Sequence, residues 1–253
     1  QRAPLVGPKA VGTGGPPVHE LQVASAGSES STEFPTASSL KDDRAGHPYR
    51  LRTGQRAPPI RAAGITVHVT IGNHDKRENL WKLLPFLKKE HMGVQAGVIE
   101  LPHANLVLLD SGRKGILGQK QLDWLTKELD ERADKPALIF GHFNPYPNRG
   151  VRPIKGMSDG AALLNLFAER KHARAYFYGH THEWQYDRRD HLHLINQPAV
   201  SYYFGKGLAH GWVDMNLTEM SAVLELQCIN GKHKQHGDRR QVSLKDEKIN
   251  INE

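Results

Sequence analysis

The pattern of apolar and polar positions changes abruptly near residue 65 of this 253-residue chain. From there on, short apolar runs alternate between strand-like and helix-like spacing, with Gly or Pro between them. Ile65–Ile71 reads as a buried strand, and Leu80, Trp81, Leu83, Leu84 and Leu87 mark a helix interrupted near Pro85. Ala104–Asp110 is a further strand. Gly118–Ala133 is the clearest helix, with Leu122, Leu125 and Leu129 on one face and a stop before Pro136. Ala137–Phe140 is a short apolar strand, Ser158 is placed to cap a helix carrying Leu163, Leu164 and Phe167, and Ala173–Tyr178 is again a strand. His191–Ile195, Tyr202–Phe204, Gly211–Leu217 and Ala222–Cys228 read as successive strands. His191 and His193 alternate and so share a face, which is expected to be exposed sheet surface.

Composition divides the chain in three. Residues 1–62 hold 8 of the 15 prolines with seven glycines and six serines, and Val, Ile, Leu and Phe number only 10 of the 62. Such a stretch buries too little apolar surface to offset its ordering entropy, so it is expected to form no packed structure. Residues 63–230 are the expected globular domain, and 231–253, charged and poor in apolar residues, an expected solvated tail. The chain opens on Gln1 and its first methionine is Met92, so it reads as a processed product or a fragment. No run of eighteen apolar residues argues for a membrane-spanning helix. The formal charge of +7 is spread as +3 over residues 1–62, +2 over the last twenty-three and +2 between, which gives no basic stripe for a nucleic acid. The single cysteine, Cys228, excludes an internal disulfide and has no neighbouring base to make it a nucleophile. Localisation stays open, with a slight lean to the cytoplasm.

Candidate chemistry lies where three strands end alike. Ile65–Ile71 runs into Gly72-Asn73-His74-Asp75, Ala137–Phe140 into Gly141-His142, and Ala173–Tyr178 into Gly179-His180-Thr181-His182. In a sheet with helical crossovers, the carboxyl ends of the strands form one rim where ligands bind. Imidazole nitrogen and amide oxygen there suit Zn, Mn or Fe, and the glycines let the backbone turn sharply. Asn144, Tyr146 and Arg149, just after His142, read as a solvated loop.

The three blocks, in this order, resemble the later signature blocks of the calcineurin-like metallophosphoesterases. Leu109-Asp110-Ser111, Gly118 and Gln121-Leu122-Asp123-Trp124-Leu125 resemble the connecting stretch of the branch related to cyclic-nucleotide phosphodiesterases and purple acid phosphatases. The similarity covers about Ile65 to Cys228. It implies an α/β, four-layer α-β-β-α sandwich of two mixed sheets flanked by helices, with a site for normally two divalent ions (Mn, Fe or Zn) on the strand rim. By the same resemblance Asn73, His142 and His180 are ligands of the second metal and His182 of the first. His74, oriented by Asp75, would protonate the leaving alkoxide or stabilise the phosphorane-like charge, a metal-bridging hydroxide would be the nucleophile, and the partner a small phosphate ester. The family also carries an early Asp-x-His strand and a Gly-Asp strand; neither is present, and the only aspartates before Asn73 are Asp42 and Asp43. The amino-terminal strands are therefore expected to be absent or replaced. Two functions stay open: a metal-dependent phosphomonoesterase or phosphodiesterase, and an inactive binding or scaffold protein of that fold.

Overall fold

The computed structural model describes residues 66–85, 87, 93–146, 154–200 and 204–245, and the backbone of 19–23. Two sheets face each other. The larger contains β2 (Gly97–Glu100), β3 (Asn105–Leu108), β4 (Ala137–Phe140), β5 (Ala173–Tyr178), β6 (Gln185–Arg189) and β7 (Leu192–Asn196), in the order β2-β3-β4-β5-β7-β6. Its four central strands, β3, β4, β5 and β7, are parallel, while β2 and β6 pair antiparallel at the edges. The smaller sheet is antiparallel, with β1 (His19–Val23), β8 (Gly211–Leu217), β9 (Ser221–Cys228) and β10 (Arg239–Ser243) in the order β1-β8-β9-β10.

The larger sheet is buried on both faces, which is why β4, β5 and β7 are buried at every position. One face, carrying Leu106, Leu138, Phe140, Ala175, Phe177 and Ile195, meets Val213, Met215, Leu224, Leu226 and Val242 of the smaller sheet. Phe140 and Phe177 stack across β4 and β5 at 4.5 Å and 9°. The other face, with Val107, Ile139, Tyr176 and Leu194, packs on α2 (Gln119–Glu131) through Leu122, Leu125 and Leu129, and on α3 (Gly160–Ala168) through Leu163, Leu164 and Phe167. The apolar stripes at helical spacing thus find their partner in the strand runs. The chain is a mixed α/β sandwich, and the described residues form three of the four implied layers. The outer face of the smaller sheet bears Trp212, Asp214 and Asn216 and is partly exposed.

Several expectations change. Residues 66–71 of the expected Ile65–Ile71 strand enter no ladder among the described residues, although Val69 and Ile71 are buried. The helix after it, α1, covers only Arg77–Leu83 and buries none of its residues. Of residues 1–62 only His19–Val23 is described, and this segment pairs with β8 as an edge strand instead of lacking structure. The expected tail contributes β10, with Val242 wholly buried and Leu244 nearly so, because two apolar residues at alternate positions suffice to fill the sandwich end. Polar β6 and short β2 escape the apolar-run criterion altogether. His191 and His193 are buried, not exposed: His191 donates from Nε2 to the carbonyls of Phe167 and Arg170, and His193 Nδ1 lies 2.7 Å from the Tyr186 hydroxyl. The α3 helix begins at Gly160 behind Asp159, whose carboxylate accepts the Leu117 and Gly118 N–H groups and so fixes the entry to α2. Of the strand expected at Tyr202–Phe204 only Phe204 is described, in a bend, and the expected boundary at 62/63 falls outside the described residues. No helix among the described residues is long and apolar enough to cross a membrane.

Candidate metal centre

Parallel strands β3, β4, β5 and β7 deliver their carboxyl ends to one rim: Asp110 follows β3, Gly141-His142 follows β4, Gly179-His180 follows β5, and Asn196-Gln197 closes β7. Cross-strand bonds tie the exits together. Gly141 N–H donates to Phe177 O, Gly179 N–H to His142 O, and Gln197 N–H to Tyr178 O, at 2.9, 2.9 and 2.7 Å. The Asn73 loop reaches the same rim from outside the sheet.

The decisive contact joins residues 69 apart in sequence: His142 Nε2–H donates to Asn73 Oδ1 at 2.9 Å. Gly72 makes this approach possible, since a Cβ there would stand 3.0–3.2 Å from three atoms of the His142 ring. Gly141 is required for a similar reason, its position lying 2.5 Å from the Tyr176 hydroxyl when a Cβ is added. His180 stands next to His142, ring centroids 5.2 Å apart, with Phe143 tilted against it at 4.2 Å.

Backbone strain marks the His180-Thr181-His182 turn. His180 and His182 hold φ of 69° and 57°, and Thr181 N–H donates to Gly179 O at 2.8 Å. An i to i+2 bond around a positive φ is a γ-turn of the rare, strained kind, and strain of this sort persists only where the surroundings enforce it. Here Asn196 supplies the enforcement, its side-chain amide donating to the buried Thr181 hydroxyl between the two histidines.

Electrostatics keeps the imidazoles neutral. Burial, reinforced by the charges His180, His182 and His74 would carry, pushes His142 down to about 3. Burial brings His180 down to about 4, with the Lys155 carbonyl opposing and His182 and His74 adding to the shift. Neutral imidazoles with free lone pairs are the form in which histidine ligates metal.

The structure brings Asn73, His142 and His180 together with His74 at the exposed lip, and His182, close enough to bear on the charge of both His142 and His180, stacks on Phe204 at 4.4 Å. Asp75 stands close enough to His74 for the imidazole's charge to bear on its carboxyl. Its Oδ2 accepts the Gly72 N–H at 2.9 Å, closing the loop on itself, and burial raises its carboxyl above the ordinary value. Asn144, expected in a solvated loop, is buried and donates to the Tyr146 carbonyl; Arg149 lies outside the described residues. Sequence reasoning missed Phe143 and Phe204, whose rings carry no ligand chemistry, and Asn196, whose amide nitrogen is bonded to the Thr181 hydroxyl.

The donor set fits one cation. Two ligands about 2.1 Å from an ion and roughly at right angles stand about 3 Å apart, the separation of Asn73 Oδ1 and His142 Nε2. Among the described residues no three His, Cys, Asp or Glu side chains are arranged to hold a metal. The nearby carboxylates are committed elsewhere, Asp75 to Gly72 and Asp110 to Arg77.

Residues 43–184 match the sequence profile described as calcineurin-like phosphoesterase, over half of the chain. The chain belongs to the calcineurin-like phosphoesterase family. Curated proteins are similar over comparable spans. The 3',5'-cyclic adenosine monophosphate phosphodiesterase CpdA of Pseudomonas aeruginosa is 29% identical over 143 residues, 54% of this chain and 50% of its own. The glycerophosphodiester phosphodiesterase GpdQ of Enterobacter lignolyticus is 27% identical over 139 residues, 51% of this chain and 49% of its own. The chain thus spans about half the length of these curated relatives. In fold, this family member resembles a dimetal phosphatase from Danio rerio, with a TM-score of 0.59 over 74% of both chains at 17% identity.

Proposed function

We propose that the chain is a metal-dependent phosphoesterase acting on small phosphodiesters, with Asn73, His142 and His180 holding one divalent cation, Mn, Fe or Zn. The observation that carries this reading is the 2.9 Å apposition of Asn73 Oδ1 and His142 Nε2 from two separate rim loops. A divalent ion bound there supplies Lewis-acid charge for a phosphoryl oxygen and a water of lowered pKa. The protein's own contribution is positional. Neutral, half-buried imidazoles leave one ring nitrogen of each with a lone pair to offer a cation, and Phe143 covers one side of His180. His74, next to Asn73 and exposed, donates a proton to the departing alkoxide and regains it from solvent. His182 lies two residues from His180 on the strained turn. The diester preference is supported by the names of the similar proteins, a cyclic-nucleotide and a glycerophosphodiester phosphodiesterase.

A second reading, a binding protein of the same fold, is favoured by one observation: no carboxylate among the described residues joins the histidine cluster. Hydrolysis of bis(4-nitrophenyl) phosphate, cyclic AMP and glycerophosphoethanolamine by the full chain with Mn2+, Fe2+ or Zn2+ separates the two. The phosphoesterase reading expects turnover that His74→Gln lowers by about 10²-fold or more while metal binding persists. A chain that binds metal and hydrolyses none of the three diesters contradicts it.

A further inference from the structure

Asn73 is the only member of the proposed ligand set that no strand delivers. His142 and His180 follow β4 and β5, fixed in a parallel ladder, whereas residues 66–72 enter no ladder among the described residues.

The anchor lies four residues beyond Asn73. Arg77, at the start of α1, forks onto Asp110 at the exit of β3, Nε to Oδ2 at 2.6 Å and Nη2 to Oδ1 at 2.9 Å. The Asp110 side chain is wholly buried and also accepts the N–H groups of Gln95 and Gly112, both at 2.8 Å. Its backbone is held in turn by Gln121 of α2: Asp110 N–H donates to Oε1 at 2.9 Å, and Nε2 donates to the Asp110 carbonyl at 2.8 Å. Asp110 is thereby locked to the sheet and to a helix, and a planar guanidinium bound through two parallel bonds inherits its position and its orientation. Gly112, at φ 54°, keeps room for the fork, because a Cβ there would stand 2.9 Å from Arg77 Nη2. Arg113 adds a bond from Nε to the Asn73 carbonyl at 3.2 Å.

We propose that the Arg77–Asp110 pair is the positioning device that sets Asn73 opposite His142. This rests on the reading of Asn73 as a ligand, and its test separates the two. In the full chain, Arg77→Lys keeps the charge and removes the fork. Hydrogen exchange in the segment 72–83 is expected to quicken at least about tenfold, and Mn2+ affinity by calorimetry to fall about 10- to 100-fold, the usual effect of losing a residue that supports a ligand. Segments covering β4 and β5 are expected to exchange as in the wild type. Arg170→Lys, which breaks a comparable fork on Asp130 at 2.7 and 2.9 Å far from the rim, leaves both readouts unchanged. If Arg77→Lys unfolds the chain, Gly112→Ala keeps both charges and displaces the fork, and the same readouts apply. Unchanged exchange in 72–83, or quickened exchange with an unaltered Mn2+ titration, overturns the proposal. If the wild type binds no Mn2+, the ligand reading fails, and quickened exchange confined to 72–83 still upholds the anchoring.

Discussion

Gly72→Ala perturbs the rim at one point with one methyl group. The added Cβ would lie 3.0 Å from His142 Cε1, 3.1 Å from Nδ1 and 3.2 Å from Nε2, where ordinary contact begins near 3.4 Å. The ring must give by a few tenths of an ångström. Retreat is obstructed, since Phe143 stands edge-on at 5.3 Å between centroids and His180 at 5.2 Å. Overpacking of this kind costs about 1–2 kcal/mol. The same displacement stretches the Asn73–His142 approach, and a site loosened by a fraction of an ångström is expected to lose about tenfold in cation affinity. Thermal unfolding by circular dichroism reads the first effect and Mn2+ calorimetry the second. Unaltered unfolding temperature together with unaltered affinity would show that His142 does not sit over Gly72, and the geometry of the rim would have to be redrawn.

Three further outcomes are expected. Gly211→Ala places a Cβ 1.8 Å from Gln227 O in the paired strand, a backbone atom that cannot swing away, so denaturant unfolding should show a loss of about 3 kcal/mol; a loss below about 1 kcal/mol contradicts the β8–β9 pairing. Asp75→Asn retains an oxygen for the Gly72 N–H and should bind Mn2+ like the wild type, whereas Asp75→Ala should not; equal loss in both would restore a role for the charge itself. Burial lowers His172 below its ordinary value, although its Nε2–H bond to Leu129 O opposes this. The unfolded chain therefore takes up a proton near pH 6.5 that the fold resists, and stability falls as pH drops through that value. His172→Gln should flatten this slope in urea unfolding between pH 7 and 5, and an unchanged slope would assign it to other groups.

The rim was legible because its chemistry and its architecture coincide in sequence. Each of Ala137–Phe140 and Ala173–Tyr178 is an unbroken apolar run, buried on both faces, that ends in Gly-His, and both strands have the bounds their runs suggest. What escaped was set by partners distant in sequence. Asp75 lies beside His74 in the chain, yet its carboxylate is taken by Gly72, an outcome of loop closure that adjacency cannot reveal. His191 and His193 look like exposed alternation until α3 and Tyr186 supply hydrogen-bond partners. Val242 and Leu244 sit in a charged stretch whose burial depends on the open edge of β9. Asp110 was visible within a recognisable stretch, but its bond to Arg77, 33 residues away, requires the fold.

The account stands most directly on the cation. Calorimetric titration of the wild type and of His142→Ala with Mn2+ under identical conditions tests it, because His142 is the residue that meets both Asn73 and His180. The account predicts a single site on the wild type, weakened by 100-fold or more (about 3 kcal/mol) in the variant. Equal binding by both chains, or none by the wild type, would contradict it.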